Sequence, residues 1–140
     1  MKKFVFLILS AVFIFAFEWS GKVNWSISYQ AAKNIAAKEH KLVMVDIALT
    51  KCPPCRYLAT HVYTNTKVAN YINKNFVPVF YLADQDSIPV EVQNYFTGST
   101  PTILFIEPNG KLFTYFVGAR EPADFLAILQ KVKSKYEGSK

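Results

Sequence analysis

Leu42-Val43-Met44-Val45-Asp46-Ile47-Ala48-Leu49-Thr50-Lys51-Cys52-Pro53-Pro54-Cys55-Arg56 carries both cysteines of the chain. The run before them is apolar on both parities except at Asp46, the pattern of a strand covered on both faces. Pro53 and Pro54 suit a turn and a first helical position, where a missing N–H costs nothing. The spacing therefore predicts a central strand over Leu42–Ala48, then a turn, then a helix that starts at the cysteines.

That placement has chemical consequences. A thiolate, not a thiol, attacks a disulfide, so a working cysteine needs its pKa lowered from about 8.5 into a range of roughly 3.5 to 7.5. At a helix N-terminus the dipole and the free N–H groups favour an anion, and Lys51 and Arg56 add positive charge nearby. Cys52 is the candidate nucleophile, Cys55 the candidate resolving thiol one turn inward, and Lys51, Pro53 and Pro54 the candidate residues that tune the pair. Asp46 is the more diagnostic residue. An ionised carboxylate inside an apolar strand is costly, so burial raises its pKa. Such a group can accept the Cys55 proton, through a water, when that thiol must attack. The plainer reading is a structural Asp bonded to backbone at the strand end.

Bulk properties narrow the classes. The chain has 140 residues, a one-domain length. Two cysteines in one CxxC leave none for a separate structural bridge. A zinc site would have to recruit His40 and His61, neither at finger or ribbon spacing, so no metal is expected. The net charge of +6 is scattered, with only Arg56 and Arg120 as arginines, so no nucleic-acid face is expected.

Met1-Lys2-Lys3 and the apolar residues 4–17 have the charge and length of a signal peptide, shorter than the about 20 residues of a spanning helix. Residues 1–20 are read as a signal peptide or an uncleaved membrane anchor, 21–136 as the domain and 137–140 as a polar tail. Residues 18–26, with Trp19 and Trp25, form a polar connector, and Ser26 or Ser28 caps a helix that ends near His40. Residues 56–63 are helical, and Thr64-Asn65-Thr66 breaks the chain and caps a further helical turn through Ile72. Residues 75–82 form a strand that Pro78 places at an edge or a terminus. A short helix covers 89–96. Strands over 103–106 and 111–117 flank the hairpin signal Glu107-Pro108-Asn109-Gly110, and Pro122 opens a last amphipathic helix. The order of elements is that of an α/β sandwich with a mixed sheet.

Val45-Asp46-Ile47 leading to Cys52-Pro53-Pro54-Cys55, then Thr100-Pro101-Thr102 before an apolar strand, Asn109-Gly110, and Val117-Gly118-Ala119 before the last helix together resemble the thioredoxin fold. The resemblance covers roughly residues 25–132. Within that superfamily, the Asn24-Trp25 lead-in and the segment 56–76 most resemble exported domains akin to the C-terminal domain of the transmembrane disulfide reductase DsbD. Many relatives carry Trp before the first cysteine, where this chain has Lys51, and Pro at the strand entrance, where it has Leu42. The resemblance implies a mixed central β-sheet of about four to five strands flanked by helices. It also implies a cis Pro101, with Thr100 and Pro101 beside Cys52, where an extended client can pair as an added strand.

The implied activity is an exported, periplasmic thiol–disulfide oxidoreductase, monomeric and without a cofactor, anchored to the inner membrane if residues 1–20 are kept. It would reduce or isomerise disulfides in client proteins and be kept reduced by a membrane electron donor. Three alternatives stay open: the oxidant direction of the same chemistry, since about 30 mV changes the equilibrium tenfold; a metal-delivery or assembly factor using the two thiolates as ligands for copper(I) or zinc; and a tethered interaction protein whose thiols are incidental.

Overall fold

Strand β1 (Leu42–Ala48) is buried along its whole length and lies inside a four-stranded sheet of order β2-β1-β3-β4. The computed structural model describes residues 16–140. Strand β2 (Phe76–Leu82) pairs with β1 in parallel; β3 (Thr102–Ile106) pairs with β1 and β4 (Leu112–Val117) with β3, both antiparallel. The expected mixed sheet is present, with four strands. Pro78 sits on β2, an edge strand, where the missing donor is tolerated.

The pleat divides β1 between two cores. Val43, Val45 and Ile47 pack with Tyr29, Ala32 and Ala36 of helix α1 (Tyr29–Glu39), and with Val92 of the short helix α4 (Val90–Gln93). Leu42 and Met44 face the other way, against Ile72 of α3 (Thr66–Asn75) and Phe125 and Leu129 of α5 (Pro122–Gly138). Each side chain of this size, fully buried, contributes about 1.5–3 kcal/mol. Asp46 and Ala48 continue the second face toward the end of the strand where α2 (Pro53–Tyr57) begins.

Local chemistry fixes the ends of these elements. Ser28 caps α1 by accepting from the Ala31 N–H at 3.1 Å, and Asn65 caps α3 by accepting from the Lys67 and Val68 N–H groups. His40 closes α1 in the left-handed region at φ 54°. Helix α5 continues to Gly138, into the stretch read as a polar tail.

Two features differ from the sequence expectation. The helix after the cysteines is not uniform: α2 ends at Tyr57, and Leu58–Val62 form a π-helical turn closed by the Tyr63 N–H on the Leu58 carbonyl at 2.8 Å. The lead-in, read as a polar connector, is packed into the fold. The Lys22 N–H bonds the Tyr63 carbonyl at 2.8 Å, and the Trp25 ring meets Tyr63 edge-on at 5.1 Å. Residues 1–15 of the expected export segment lie outside the described residues. Among the described residues no helix is long and apolar enough to cross a membrane.

Candidate active site

Cys52 is the N-cap of α2, with Pro53 and Pro54 in its first turn. The two cysteines form a disulfide, Cα to Cα 5.2 Å, and are 5% and 3% exposed. Two donors already reach the outer sulfur: the Cys55 N–H and the Thr100 hydroxyl, each 3.3 Å from Cys52 Sγ. Donors so placed favour an anionic acceptor, since hydrogen bonds to a charged acceptor are the stronger ones. Thr100 precedes Pro101, and the bond between them is cis.

The basic residues take unequal parts. Arg56 donates from Nε to the Thr50 carbonyl at 3.1 Å, and its guanidinium lies over the rings of Phe17, at 4.4 Å, and Trp19, at 5.8 Å. It therefore braces the loop that carries the cysteines. Lys51 is exposed and makes no side-chain hydrogen bond among the described residues. Asp84, in the loop after β2, accepts from the Thr50 N–H at 3.0 Å, which holds its carboxyl below the usual range and fixes the approach to Cys52.

Asp46 is 1% exposed. Its neighbours across the sheet are Phe80 on β2 and Ile103 on β3, and no cation among the described residues reaches it. Burial pushes its carboxyl up to about 7, partly opposed by a hydrogen bond from the Tyr63 hydroxyl to Oδ2 at 2.5 Å. Oδ1 is buried and has no hydrogen-bond partner among the described residues. Asp46 shares its strand face with Ala48, two residues on, and Ala48 packs directly against Cys52 and Cys55. The acid thus lies on the face that the dithiol covers.

Two residues here escape the sequence reading. Tyr63 looks like one more core aromatic at the end of a helix. Only the π-helical turn, which no residue pattern announces, sets it opposite Asp46. Trp19 belongs to the lead-in and packs with Leu49, Phe80 and Leu82 on the cluster formed by Ala48 and the cysteines, its ring 5.5 Å from Phe80. An indole from the lead-in thus packs on the cluster that holds the dithiol, while Lys51 occupies the position before Cys52. Among the described residues no three His, Cys, Asp or Glu side chains converge as a metal site would require.

The geometry is that of a redox-active dithiol above a buried acid, and comparison with known proteins agrees. Residues 29–133 match the thioredoxin-like domain family. Thioredoxin H3 of Arabidopsis thaliana is 27% identical over 111 residues, 79% of this chain and 84% of the relative. The solution structure of a thioredoxin from Thermus thermophilus superposes with a TM-score of 0.70 at 25% identity, covering 82% of this chain and 90% of that one. The DsbD C-terminal domain of Neisseria meningitidis, oxidised, superposes with a TM-score of 0.58 over 73% and 90% of the two chains; at 19% identity it speaks for the fold alone. The chain belongs to the thioredoxin-like domain family and is a thioredoxin-like disulfide oxidoreductase whose cysteine pair is Cys52 and Cys55.

Proposed function

We propose that the chain is an exported reductase or isomerase of protein disulfides. Cys52 attacks first, Cys55 resolves, and Asp46 takes the Cys55 proton. The Cys52 thiolate attacks a client disulfide, forming a mixed disulfide and releasing one client thiolate. Cys55 then loses its proton to Asp46 and attacks the Cys52 sulfur. The Cys52–Cys55 bond forms, and the second client thiolate leaves. Two electrons pass to the client, and both client sulfurs end as thiols after protonation. The observation that carries this reading is the arrangement at Cys52: a helix-capping sulfur with the Cys55 N–H and the Thr100 hydroxyl aimed at it, above the otherwise apolar strand face that holds Asp46.

The backbone at Thr100 and Pro101 offers an edge beside Cys52 on which an extended client segment pairs. Lys51, exposed next to the nucleophile, acts on client choice, and Pro53 and Pro54 set the stiffness of the first turn. The positive start and apolar run of residues 1–17 support export to the periplasm and attachment to the inner membrane if the segment is retained. A single chain holds all the groups named, which supports action as a monomer. A membrane donor of electrons completes the cycle.

The test is the redox state of the pair in the cell, read by thiol alkylation before lysis. A pair largely reduced at steady state fits the proposal. A pair held oxidised, with net disulfide formation in added reduced clients, assigns the opposite direction.

A further inference from the structure

Tyr63 makes no hydrogen bond to either cysteine, yet its phenol is the one group among the described residues that hydrogen-bonds the buried acid. We infer that Tyr63 is a positioning residue for the resolving step, holding Asp46 by Oδ2 so that Oδ1 is the oxygen that receives the Cys55 proton. The inference rests on the function proposed above and adds to it the group that aims the acid.

Four observations carry it. The Tyr63 hydroxyl donates to Oδ2 at 2.5 Å and makes no other hydrogen bond among the described residues, so that oxygen is tethered to the phenol and the carboxyl is fixed in orientation. Oδ1 is buried and has no hydrogen-bond partner among the described residues, which makes it the oxygen better placed to take a proton. The ring that presents the phenol is fixed on several sides: Trp25 meets it edge-on at 5.1 Å, Phe125 at 5.9 Å, and Tyr63 as a whole is 1% exposed. Its backbone is fixed too, by the π-helical turn behind it and by the lead-in, whose Lys22 N–H bonds the Tyr63 carbonyl.

The surroundings leave no rival for this role. On the strands beside Asp46 stand Phe80 and Ile103, both apolar. From the helical layer come Tyr63 and the Cys52–Cys55 pair packed on Ala48. From the lead-in, Trp25 packs on Tyr63, and the Lys22 ammonium is turned outward to the Thr66 hydroxyl at 2.8 Å. The proton gained when Cys55 ionises goes to Oδ1 and returns from there to a departing thiolate, so no external acid or base is needed.

The hydrogen bond from Tyr63 favours the ionised form of Asp46, and its removal shifts the acid toward the neutral form. The experiment follows the resolving step by stopped flow after mixing reduced protein with a small disulfide probe, from pH 5 to 10, in the wild type, Tyr63→Phe, Asp46→Asn and the double variant. In Tyr63→Phe the midpoint of the resolving step is expected to rise by about one unit, which lowers the ionised fraction at pH 7 and slows resolution roughly fivefold. The initial attack by Cys52 keeps the wild-type rate, and Tyr63→Phe has no further effect once Asp46 is Asn. An unmoved midpoint in a folded Tyr63→Phe protein overturns the inference, as does an equal slowing in the Asp46→Asn background. Should Tyr63→Phe fold poorly, the infrared C=O stretch of protonated Asp46 in the wild type, with ring-fluorinated tyrosine incorporated, reads the same bond; a band that does not respond to the acidity of the phenol overturns it. Absence of any mixed disulfide in the wild type counts against the proposed function instead, so the two failures are distinct.

Discussion

Thr100 and Cys52 are 48 residues apart in the chain, and the hydroxyl of one lies 3.3 Å from the sulfur of the other. The contact joins the start of β3 to the start of α2 and places a donor on the sulfur opposite the helix. Replacing it tests the electrostatics of the nucleophile. Thr100→Val keeps the shape and removes the donor, so the Cys52 thiol pKa is expected to rise by about half to one unit, given the net value of one such bond. The rate of iodoacetamide alkylation against pH, in the reduced protein, reads the midpoint. An unchanged midpoint means that the hydroxyl does not stabilise the thiolate.

Asp46 links the site to stability. Its folded-state pKa is raised from 3.8 to about 7, so between those values the folded protein holds a proton that the unfolded chain has lost. Stability contributed by the neutral acid is fully present below about 3.8 and is lost as pH rises to about 7. At about 1.4 kcal/mol per pH unit, the rise from 3.8 to about 7 makes the loss on the order of 4 kcal/mol. Asp46→Asn removes this dependence. Chemical denaturation should show the variant more stable than the wild type at pH 8, with the difference shrinking toward pH 4, while disulfide resolution slows. Parallel stability curves across that range would contradict a buried acid that titrates here.

Much of this was legible in the residues. The apolar run broken only by Asp46 predicted a central covered strand, and its burial at every position agrees. Pro78 pointed to an edge or a terminus because a central strand has no place for a missing donor, and β2 is an edge strand. Thr100-Pro101 was placed beside Cys52 through resemblance, and the hydrogen bond is there. Tyr63 was hidden for a physical reason: a π-helical turn adds a residue to the repeat, and helical spacing read from sequence assumes a constant one. Trp19 was hidden because a polar stretch after an apolar segment gives no periodicity from which its packing can be read.

The lead-in contributes to the fold through Gly21. This residue has φ +55°, and a Cβ there would stand 2.5 Å from the carbonyl carbon and oxygen of Tyr63. Neither can move without disturbing the turn that carries Tyr63. Gly21→Ala is expected to destabilise the protein by on the order of 2 kcal/mol, combining a strained backbone with a backbone clash. A denaturant midpoint equal to the wild type would show that the lead-in does not press on Tyr63.

Trp19 supplies an optical probe. Its indole packs on the cluster that holds both cysteines, and a disulfide quenches a nearby excited indole more strongly than two thiols do. Reduction should raise the tryptophan emission of the wild type and of Trp25→Phe, and leave that of Trp19→Phe nearly flat. A redox-dependent signal that persists in Trp19→Phe would assign it to Trp25, which packs on Tyr63 and Phe80.

The order of the two cysteines is tested most directly by trapping the intermediate. Reduced Cys55→Ala, mixed with a disulfide-bonded protein such as insulin, should accumulate a mixed disulfide whose mass maps to Cys52, and Cys52→Ala should accumulate none under the same conditions. A stable adduct on Cys55 in Cys52→Ala, with none on Cys52, would contradict the assignment of Cys52 as the nucleophile.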